Sequence, residues 1–270
     1  MERPAWAPRS IDISVPSVSR IYDYYLGGSH NFEVDREAAR KAMEFMPGLP
    51  KIMQANRAFM RRAVRHAADE GIDQFLDIGS GIPTFGNVHE IAQAARPGAR
   101  VVYVDHDPVA VAHSQAVLRG NEDADVVAAD LLKPQEILAS LPVQRLIDLK
   151  RPVALLLVAI LHFVEDADDP YRAVAELRDA LAPGSMLVVT HASYEGIPLL
   201  REQAEGTVDV YKNIRNPLIM RTRDEIARFF EGYDMVEPGL VPMPEWRPDT
   251  ASEDEDPYSF SGFGGVGRTA

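Results

Sequence analysis

The stretch that decides the fold of this chain is FLDIGSGIPT, residues 75–84. It begins as an apolar run, passes the carboxylate Asp77, and then turns through Gly79 and Gly81. Glycine adopts backbone angles that other residues avoid, and it has no side chain to block a ligand. A strand that runs into such a turn and then into a helix forms a nucleotide-binding crevice at its carboxyl end. The stretch therefore predicts a nucleotide-binding α/β fold, although two such glycines taken alone also occur in ordinary tight turns.

The residues around the turn indicate the kind of nucleotide. The dinucleotide pattern requires a third glycine three positions after the second, where this chain has Thr84 preceded by Pro83. Asp77 would also repel a pyrophosphate, whereas it would attract a ligand that carries an ammonium and a sulfonium group. These features favour S-adenosylmethionine (SAM) over a nicotinamide dinucleotide, which would instead indicate an oxidoreductase.

The overall composition limits the classes to which the chain can belong. With 270 residues, 46% of them hydrophobic, it is long enough for one large α/β domain. The net charge of -13 predicts that it does not bind the phosphate backbone of nucleic acids. The absence of cysteine excludes disulfides, thiolate nucleophiles and cysteine zinc sites. No signal peptide is visible, and the longest apolar run, residues 153–161, is too short for a membrane span, so we expect a cytoplasmic protein.

From Gly71 onward, runs of strand length alternate with segments of helical periodicity. The predicted strands are residues 75–78, 101–104, 126–129, 153–159, 186–189, 235–241 and 258–267. The predicted helices of this part are residues 87–95, 108–118, 136–141, 171–181 and 222–230, the last opened by a capping box. Such alternation is typical of a parallel sheet with helices on both faces.

The remaining segments complete a single domain. Residues 1–16 are rich in proline and lack periodicity, which predicts a loose N-terminal arm. Residues 17–70 are predicted to form three helices, the first after Ser17, the second capped by Asp35 and the third over residues 50–69. Residues 71–270 form the α/β core, with an insertion at residues 193–220.

Three aspartates, Asp77, Asp105 and Asp130, end predicted strands. They are 28 and 25 residues apart, about one strand–helix repeat each, so the topology brings them to one edge of the sheet. Asp77 would face the cationic methionine end of SAM, and Asp105 would accept both ribose hydroxyls. Asp130 would accept a hydrogen bond from the exocyclic amine of adenine, and Leu131 would pack beside the adenine ring. Each aspartate taken singly could equally be a helix N-cap or a loop residue.

Three nearby residues each fit two roles. Asp107 precedes Pro108, a common helix start, so an N-cap role is favoured over contact with the cofactor. His106 would lie over the adenine ring or be exposed to solvent. Arg57, on the third predicted helix, would either belong to an exposed basic row or reach inward to the carboxylate of the methionine group.

Two histidines are candidate catalytic residues because they follow predicted strands. His162 comes directly after the apolar fourth strand and His191 after the fifth, where side chains reach the mouth of the crevice. Each could act as a base or bind the substrate, or could instead be a structural histidine bonded to a backbone carbonyl. No histidine pair has metal-ligand spacing with a carboxylate, so no metal site is predicted.

With these residues assigned, the chain resembles the actinobacterial S-adenosyl methyltransferase family, long catalogued as a domain of unknown function. The marks of this resemblance are RIYDYYLGG at residues 20–28, NF at 31–32, ANRAF at 55–59, DIGSGIPT at 77–84, DHDP at 105–108 and LVAILHF at 157–163. It implies the class I methyltransferase fold, a Rossmann-like three-layer α/β sandwich whose seven-stranded, mostly parallel sheet has an antiparallel last strand. It also implies SAM as the cofactor and S-adenosylhomocysteine (SAH) as the product. The positions that match Gly79, Gly81, Asp105 and Asp130 contact the cofactor in that fold, while Pro83 departs from the wider class.

The resemblance gives a role to the rest of the chain. The helices of residues 17–70 would form a cap over the cofactor, with Tyr22 and Arg57 at its methionine end. Ser80 in the glycine turn and Ala159 after the fourth strand are further candidate cofactor contacts. The cap and the insertion at residues 193–220 would shape the pocket for an unidentified small-molecule acceptor. A protein that binds SAM without transferring its methyl group is the alternative, and the acceptor and the oligomeric state stay open.

Overall fold

The computed structural model describes residues 11–84, 86–195, 201–212, 214, 217–249 and 262–270. The strands are β1 (Gln74–Ile78), β2 (Arg100–Asp105), β3 (Ala124–Ala128), β4 (Ala154–Val158), β5 (Met186–His191), β6 (Asp234–Met235), β7 (Val241–Pro242) and β8 (Phe263–Arg268). The helices are α1 (Val18–Tyr25), α2 (Glu33–Phe45), α3 (Leu49–Asp69), α4 (Val88–Ala95), α5 (Pro108–Val117), α6 (Pro134–Leu138), α7 (Leu141–Leu146), α8 (Pro170–Asp179), α9 (Arg201–Lys212) and α10 (Arg223–Ala227). Residues 1–10 of the predicted arm, 196–200 of the insertion and 258–261 of the predicted last strand lie outside the described residues.

The sheet has the strand order β3-β2-β1-β4-β5-β8-β6, and the two-residue β7 pairs with β8 beside this path. Strands β1 to β5 are parallel, and β8 runs antiparallel to β5. The prediction of a mostly parallel sheet with an antiparallel last strand is therefore confirmed. The chain runs outward from β1 to β3 and then returns to β4, so a crevice opens at the carboxyl ends of β1 and β4.

Alternate residues of each strand pack on opposite faces of the sheet, as the pleat requires. Phe75 of β1 belongs to a core cluster that also contains residues of α3 and α4. Its neighbour Leu76 belongs to a second cluster with residues of α6, α7 and α8. Two helical layers therefore cover the sheet, which confirms the predicted three-layer arrangement.

The N-terminal helices pack on one face of this sheet. α3 contacts α4, β4 and β5, while α1 contacts α2 and α3, and α2 contacts α9. A buried ion pair joins Arg20 of α1 to Asp35 of α2 at 3.0 Å. In the stretch expected to be a loose arm, Ile11 is buried in a small cluster with Phe32 and Ile82. These contacts hold α1 and α3 beside the crevice.

Some element boundaries differ from the predictions. In place of the single helix predicted at residues 136–141, the structure has two helices, α6 and α7. Ser140 is the N-cap of α7 and Pro142 lies in its first turn, so a second helix starts here. Asp35 hydrogen-bonds the start of α2, but it is not the N-cap residue. The N-cap is Phe32, whose backbone N–H donates to the Asp35 carboxylate from the third position of the helix. The strand predicted at residues 235–241 is divided into β6 and β7 by a turn closed between Val236 and Gly239.

Candidate functional site

The turn after β1 depends on the absence of a side chain at Gly79. Gly79 and Gly81 have φ angles of +76° and +67°, which favour glycine. A Cβ atom at Gly79 would lie 2.6 Å from the Ile160 side chain, whereas one at Gly81 would meet no atom of the described residues within 4 Å. The Gly79 N–H donates to the carbonyl oxygen of Val104 at 2.8 Å. The turn is thus pressed between the end of β2 and the segment that follows β4.

Asp105, the last residue of β2, holds the other side of this turn. Its Oδ2 accepts the N–H of Gly81 at 2.7 Å, and its Oδ1 accepts the N–H of Asp107 at 2.8 Å. Burial raises the pKa of Asp105, and these two backbone donors oppose that effect. Each carboxylate oxygen keeps a second lone pair, so Asp105 can still accept hydrogen bonds from a ligand.

Asp77 is buried, and the groups around it do not fully offset the cost of ionising its carboxylate. Burial raises the pKa of Asp77 to about 7; the Arg57 guanidinium opposes this shift, and the charge of Asp105 adds to it. Arg57 also donates to the carbonyl oxygen of Gly86 at 3.1 Å. A cationic group bound beside Asp77 would favour its ionised form.

These residues line one space, which we call the polar cleft. Its lining consists of Val18, Ser19, Tyr22, Asn56, Arg57, Met60, Asp77, Gly79, Ser80, Gly81, Asp105, His106, Val158, Ala159, Ile160 and Phe163. The cleft continues past Gly79, Asp105 and His106 to Ala129, Asp130 and Leu131. The structure thus brings the three strand-end aspartates to one edge of the sheet, as their spacing predicts. In the described part of the chain, Ser80 Oγ is buried without a hydrogen-bond partner.

Asp107 is the candidate that the structure does not place in the polar cleft. Its Oδ1 accepts the N–H of Val109 at 2.8 Å, which makes it the N-cap of α5. Its Oδ2 accepts a hydrogen bond from the hydroxyl of Ser17. Asp107 thus has the N-cap role that the sequence favoured, and it does not line the polar cleft.

A second space, which we call the apolar cavity, adjoins the polar cleft. Its lining consists of Val18, Tyr22, Tyr25, Met46, Leu49, Ile52, Met53, Asn56, Ala159, His162, Phe163, Thr190, His191, Ala192, Thr207, Tyr211, Leu218, Met220 and Met243. These residues come mainly from α1, α3, α9 and the ends of β4 and β5. The volume free for a bound molecule is about 70 Å³, so an acceptor of more than a few atoms would require these side chains to move apart.

The wall between the two spaces contains a chain of hydrogen bonds. The Ala159 N–H donates to Thr190 Oγ1 at 2.8 Å, and Thr190 Oγ1 donates to Asn56 Oδ1 at 2.6 Å. Asn56 Nδ2 donates to the Tyr22 hydroxyl at 2.8 Å. Ala159 has a φ angle of +57°, an uncommon value for a residue other than glycine. This series of hydrogen bonds links Ala159 to α1, α3 and β5.

The environment of His191 leaves neither ring nitrogen available. Its Nδ1 donates to the carbonyl oxygen of Ala192 at 2.7 Å, and Arg221 Nη1 donates to its Nε2 at 2.8 Å. Arg221 is itself buried and donates to the carbonyl oxygens of Leu161 and Val164. Burial lowers the pKa of His191 to about 3. The geometry therefore gives His191 a structural role.

His162 has a different environment, since its Nδ1 is hydrogen-bonded and its Nε2 makes no hydrogen bond to the described residues. The N–H of Ala192 donates to His162 Nδ1 at 3.3 Å. Burial lowers the pKa of His162 well below its ordinary value, and His191 and Arg221 add to the shift. The ring is neutral, and with Nδ1 accepting a hydrogen bond its proton lies on Nε2.

Sequence reasoning did not identify Asn56, Thr190 or Arg221 as site residues. Asn56 lies in the ANRAF motif, which marks the family resemblance but gives no indication of a role. A buried arginine usually has hydrogen-bond partners, and no sequence pattern near Arg221 predicts which residues these are. In the part of the chain that the structure describes, no group of three or more potential ligand residues could hold a metal ion, and no helix has the length and apolarity to cross a membrane.

Comparisons with known proteins agree with this architecture. A family model described as S-adenosyl methyltransferase matches residues 4–270. A solved structure from Streptomyces avermitilis, assigned to a domain family of unknown function, is 40% identical with a TM-score of 0.90, and the match covers 96% of this chain and 99% of that one. A candidate methyltransferase from Thermobifida fusca is 40% identical with a TM-score of 0.91, covering 98% and 99% of the two chains. No protein with a curated description matches the sequence.

Proposed function

Because the chain belongs to the S-adenosyl methyltransferase family and is a SAM-dependent methyltransferase of the class I fold, we propose that it methylates a small molecule held in the apolar cavity. The observation that carries the proposal is the shared wall: Tyr22, Asn56 and Ala159 line both the apolar cavity and the polar cleft. Because the two spaces share these lining residues, a methyl donor in the cleft and an acceptor in the cavity would approach each other beside them.

The residues of the polar cleft fit SAM. Asp77 and Arg57 offer opposite charges to the ammonium and carboxylate of the methionine group, with Tyr22 beside them. Asp105 offers oxygens to the ribose hydroxyls, and His106, Asp130 and Leu131 surround the position for adenine. The unpartnered Ser80 Oγ provides a further polar group for a ligand. When bound, SAM supplies a methyl group made electrophilic by its sulfonium.

The protein's own contribution to methyl transfer is placement. His191 has both nitrogens engaged, and His162 presents an N–H rather than a free lone pair, so neither is arranged as a base. The wall residues would set the line along which an acceptor approaches, and holding two reactants in line can supply much of a rate enhancement. The strained Ala159 is fixed by Thr190 at the point where the two spaces meet.

Two measurements test this proposal. The first is a screen for SAH release against a metabolite library, in which turnover with a small molecule is expected. The second is SAM affinity of the double variant Tyr22→Phe, Arg57→Ala, which we expect to fall at least about tenfold because a charge-assisted contact is lost. Arg65→Ala is the matched control, since this exposed arginine lies two turns further along α3. Unchanged affinity in the double variant would refute the assignment of the methionine end.

A further inference from the structure

The apolar cavity is surrounded by side chains without charge. Among the described residues that line it, none is aspartate, glutamate, lysine or arginine. The polar members are histidine, tyrosine, threonine and asparagine side chains, interspersed with four methionines and several aliphatic residues. An ion transferred into such surroundings would lose its hydration without gaining a counter-charge, which is strongly unfavourable. The cavity therefore suits an uncharged molecule.

Most polar groups around the cavity already bond to the protein. Tyr25 and Tyr211 pair through their hydroxyls at 3.3 Å. Asn56 and Thr190 bond to each other and to the wall, as described above. His191 is held between Ala192 and Arg221. These groups shape the cavity, but their hydrogen-bonding capacity is largely used within the protein.

His162 is the exception among the described lining residues. Its Nδ1 accepts the Ala192 N–H, which leaves the proton of the neutral ring on Nε2. Nε2 makes no hydrogen bond to the described residues and is not among their fully enclosed polar atoms. The ring is fixed by edge contacts with Phe163 and His191, at centroid distances of 4.4 and 5.4 Å. A rigid donor at the cavity needs an acceptor from a ligand.

We infer that the methyl acceptor is an uncharged, largely apolar molecule that presents a hydrogen-bond-accepting oxygen or nitrogen to Nε2–H of His162. This inference rests on the proposed function, since it names the class of molecule that the apolar cavity takes. A site with an unpartnered donor discriminates against an analogue that lacks the acceptor, because the donor would then stay buried without a bond. His162 is thus a specificity-determining residue and not the general base.

The test uses the full-length protein saturated with SAH and four probes that share a benzene ring. Acetophenone is neutral and carries a carbonyl oxygen, ethylbenzene lacks the oxygen, benzoate is an anion and benzylammonium is a cation. Carbon-labelled methionine methyl groups locate the binding, because Met46, Met53, Met220 and Met243 line the cavity. Met235 is exposed and lies outside the cavity lining, so it serves as the remote reporter.

We expect acetophenone to shift the four cavity methionines without shifting Met235. It should bind about threefold to tenfold more tightly than ethylbenzene, the range of one hydrogen bond. It should also bind at least about tenfold more tightly than either ion. The nitrogen chemical shifts of His162 should show a protonated Nε2 and an unprotonated Nδ1. A charged probe that binds as well as acetophenone, or the absence of any shift at the cavity methionines, would overturn the inference.

Two variants isolate the donor. His162→Phe removes the N–H, and the preference for acetophenone over ethylbenzene should disappear. His162→Gln retains an amide N–H near the Nε2 position, and most of the preference should return. Both variants should bind SAH as the wild type does. A preference that survives in His162→Phe overturns the inference and leaves the proposed function intact, whereas failure of the wild type to bind SAH overturns both.

Discussion

The polar cleft and the apolar cavity share a wall, but they are built in different ways. The cleft is formed largely by backbone turns and by carboxylates at strand ends, with Gly79, Asp77 and Asp105 close together. The cavity is formed by side chains of α1, α3 and α9, which come from distant parts of the sequence. The cleft concentrates charge, while the described lining of the cavity carries none.

This difference predicts how each region tolerates substitution. The cleft depends on backbone geometry and a few charges at strand ends, so it is sensitive to changes in the turn itself. The cavity depends on side chains carried largely by helices, which can be exchanged without changing the sheet. Substitutions in the two regions should therefore have different consequences.

The largest effect is expected where the cleft is most tightly packed. Gly79→Ala places a Cβ 2.6 Å from the Ile160 side chain at a positive φ angle, and should lower the free energy of unfolding by about 2 to 5 kcal/mol. Gly81→Ala has a similar φ angle, but its Cβ meets no atom of the described residues within 4 Å, and it should cost about 1 to 2 kcal/mol. Urea unfolding and SAM titration of both variants measure the difference. Equal losses of unfolding free energy in the two variants would show that the close contact with Ile160 does not determine the packing of the turn.

An intermediate effect is expected from the pH dependence of the cleft. Burial raises the pKa of Asp77 to about 7, so the folded protein keeps a proton that the unfolded chain loses above about pH 4. The contribution of Asp77 to the free energy of unfolding is therefore greatest below about pH 4. It falls by up to about 1.4 kcal/mol per pH unit as the pH rises to about 7, and then levels off.

The variant Asp77→Asn should reduce this slope, which denaturant unfolding of the cofactor-free protein between pH 4 and pH 8 measures. Part of the slope should stay, because burial also raises the pKa of Asp105. Asp130→Asn is the matched control, because Asp130 is exposed at the same edge of the sheet, and it should keep the slope of the wild type. A slope in Asp77→Asn equal to that of the wild type would assign it to another group and weaken the electrostatic contrast between the two regions.

The smallest effect concerns the shared wall. The hydrogen bond between Asn56 and Thr190 predicts a coupling energy of about 1 kcal/mol in a double-mutant cycle with Asn56→Ala and Thr190→Val. Pairing Asn56→Ala with Ser185→Ala is the control, because Ser185 bonds to Val153 and Ala182 instead. That pair should be additive within about 0.5 kcal/mol. Additivity in the first cycle as well would mean that the wall is not held as a unit.

Much of the fold could be predicted because its signals are local. The alternation of strands and helices, the glycine turn and the capping box at Thr222 depend on residues close together in sequence, and the structure contains each of them. The division of residues 134–146 into two helices was missed, although Ser140 and Pro142 form a local helix-start signal. Asp35 was assigned to the wrong capping position: the N-cap is Phe32, and Asp35 accepts its backbone N–H from the third position of the helix.

Local sequence was enough to indicate the sheet, the family and the set of aspartates at one edge, because turn chemistry and hydrophobic period act over a few residues. The roles open to the histidines depend instead on tertiary packing. His191 is engaged by Arg221, which lies 30 residues away, and His162 receives the Ala192 N–H across the same interval. The bond between Asn56 and Thr190 spans 134 residues. Such contacts depend on how the helices stack on the strands, and no local pattern encodes that packing.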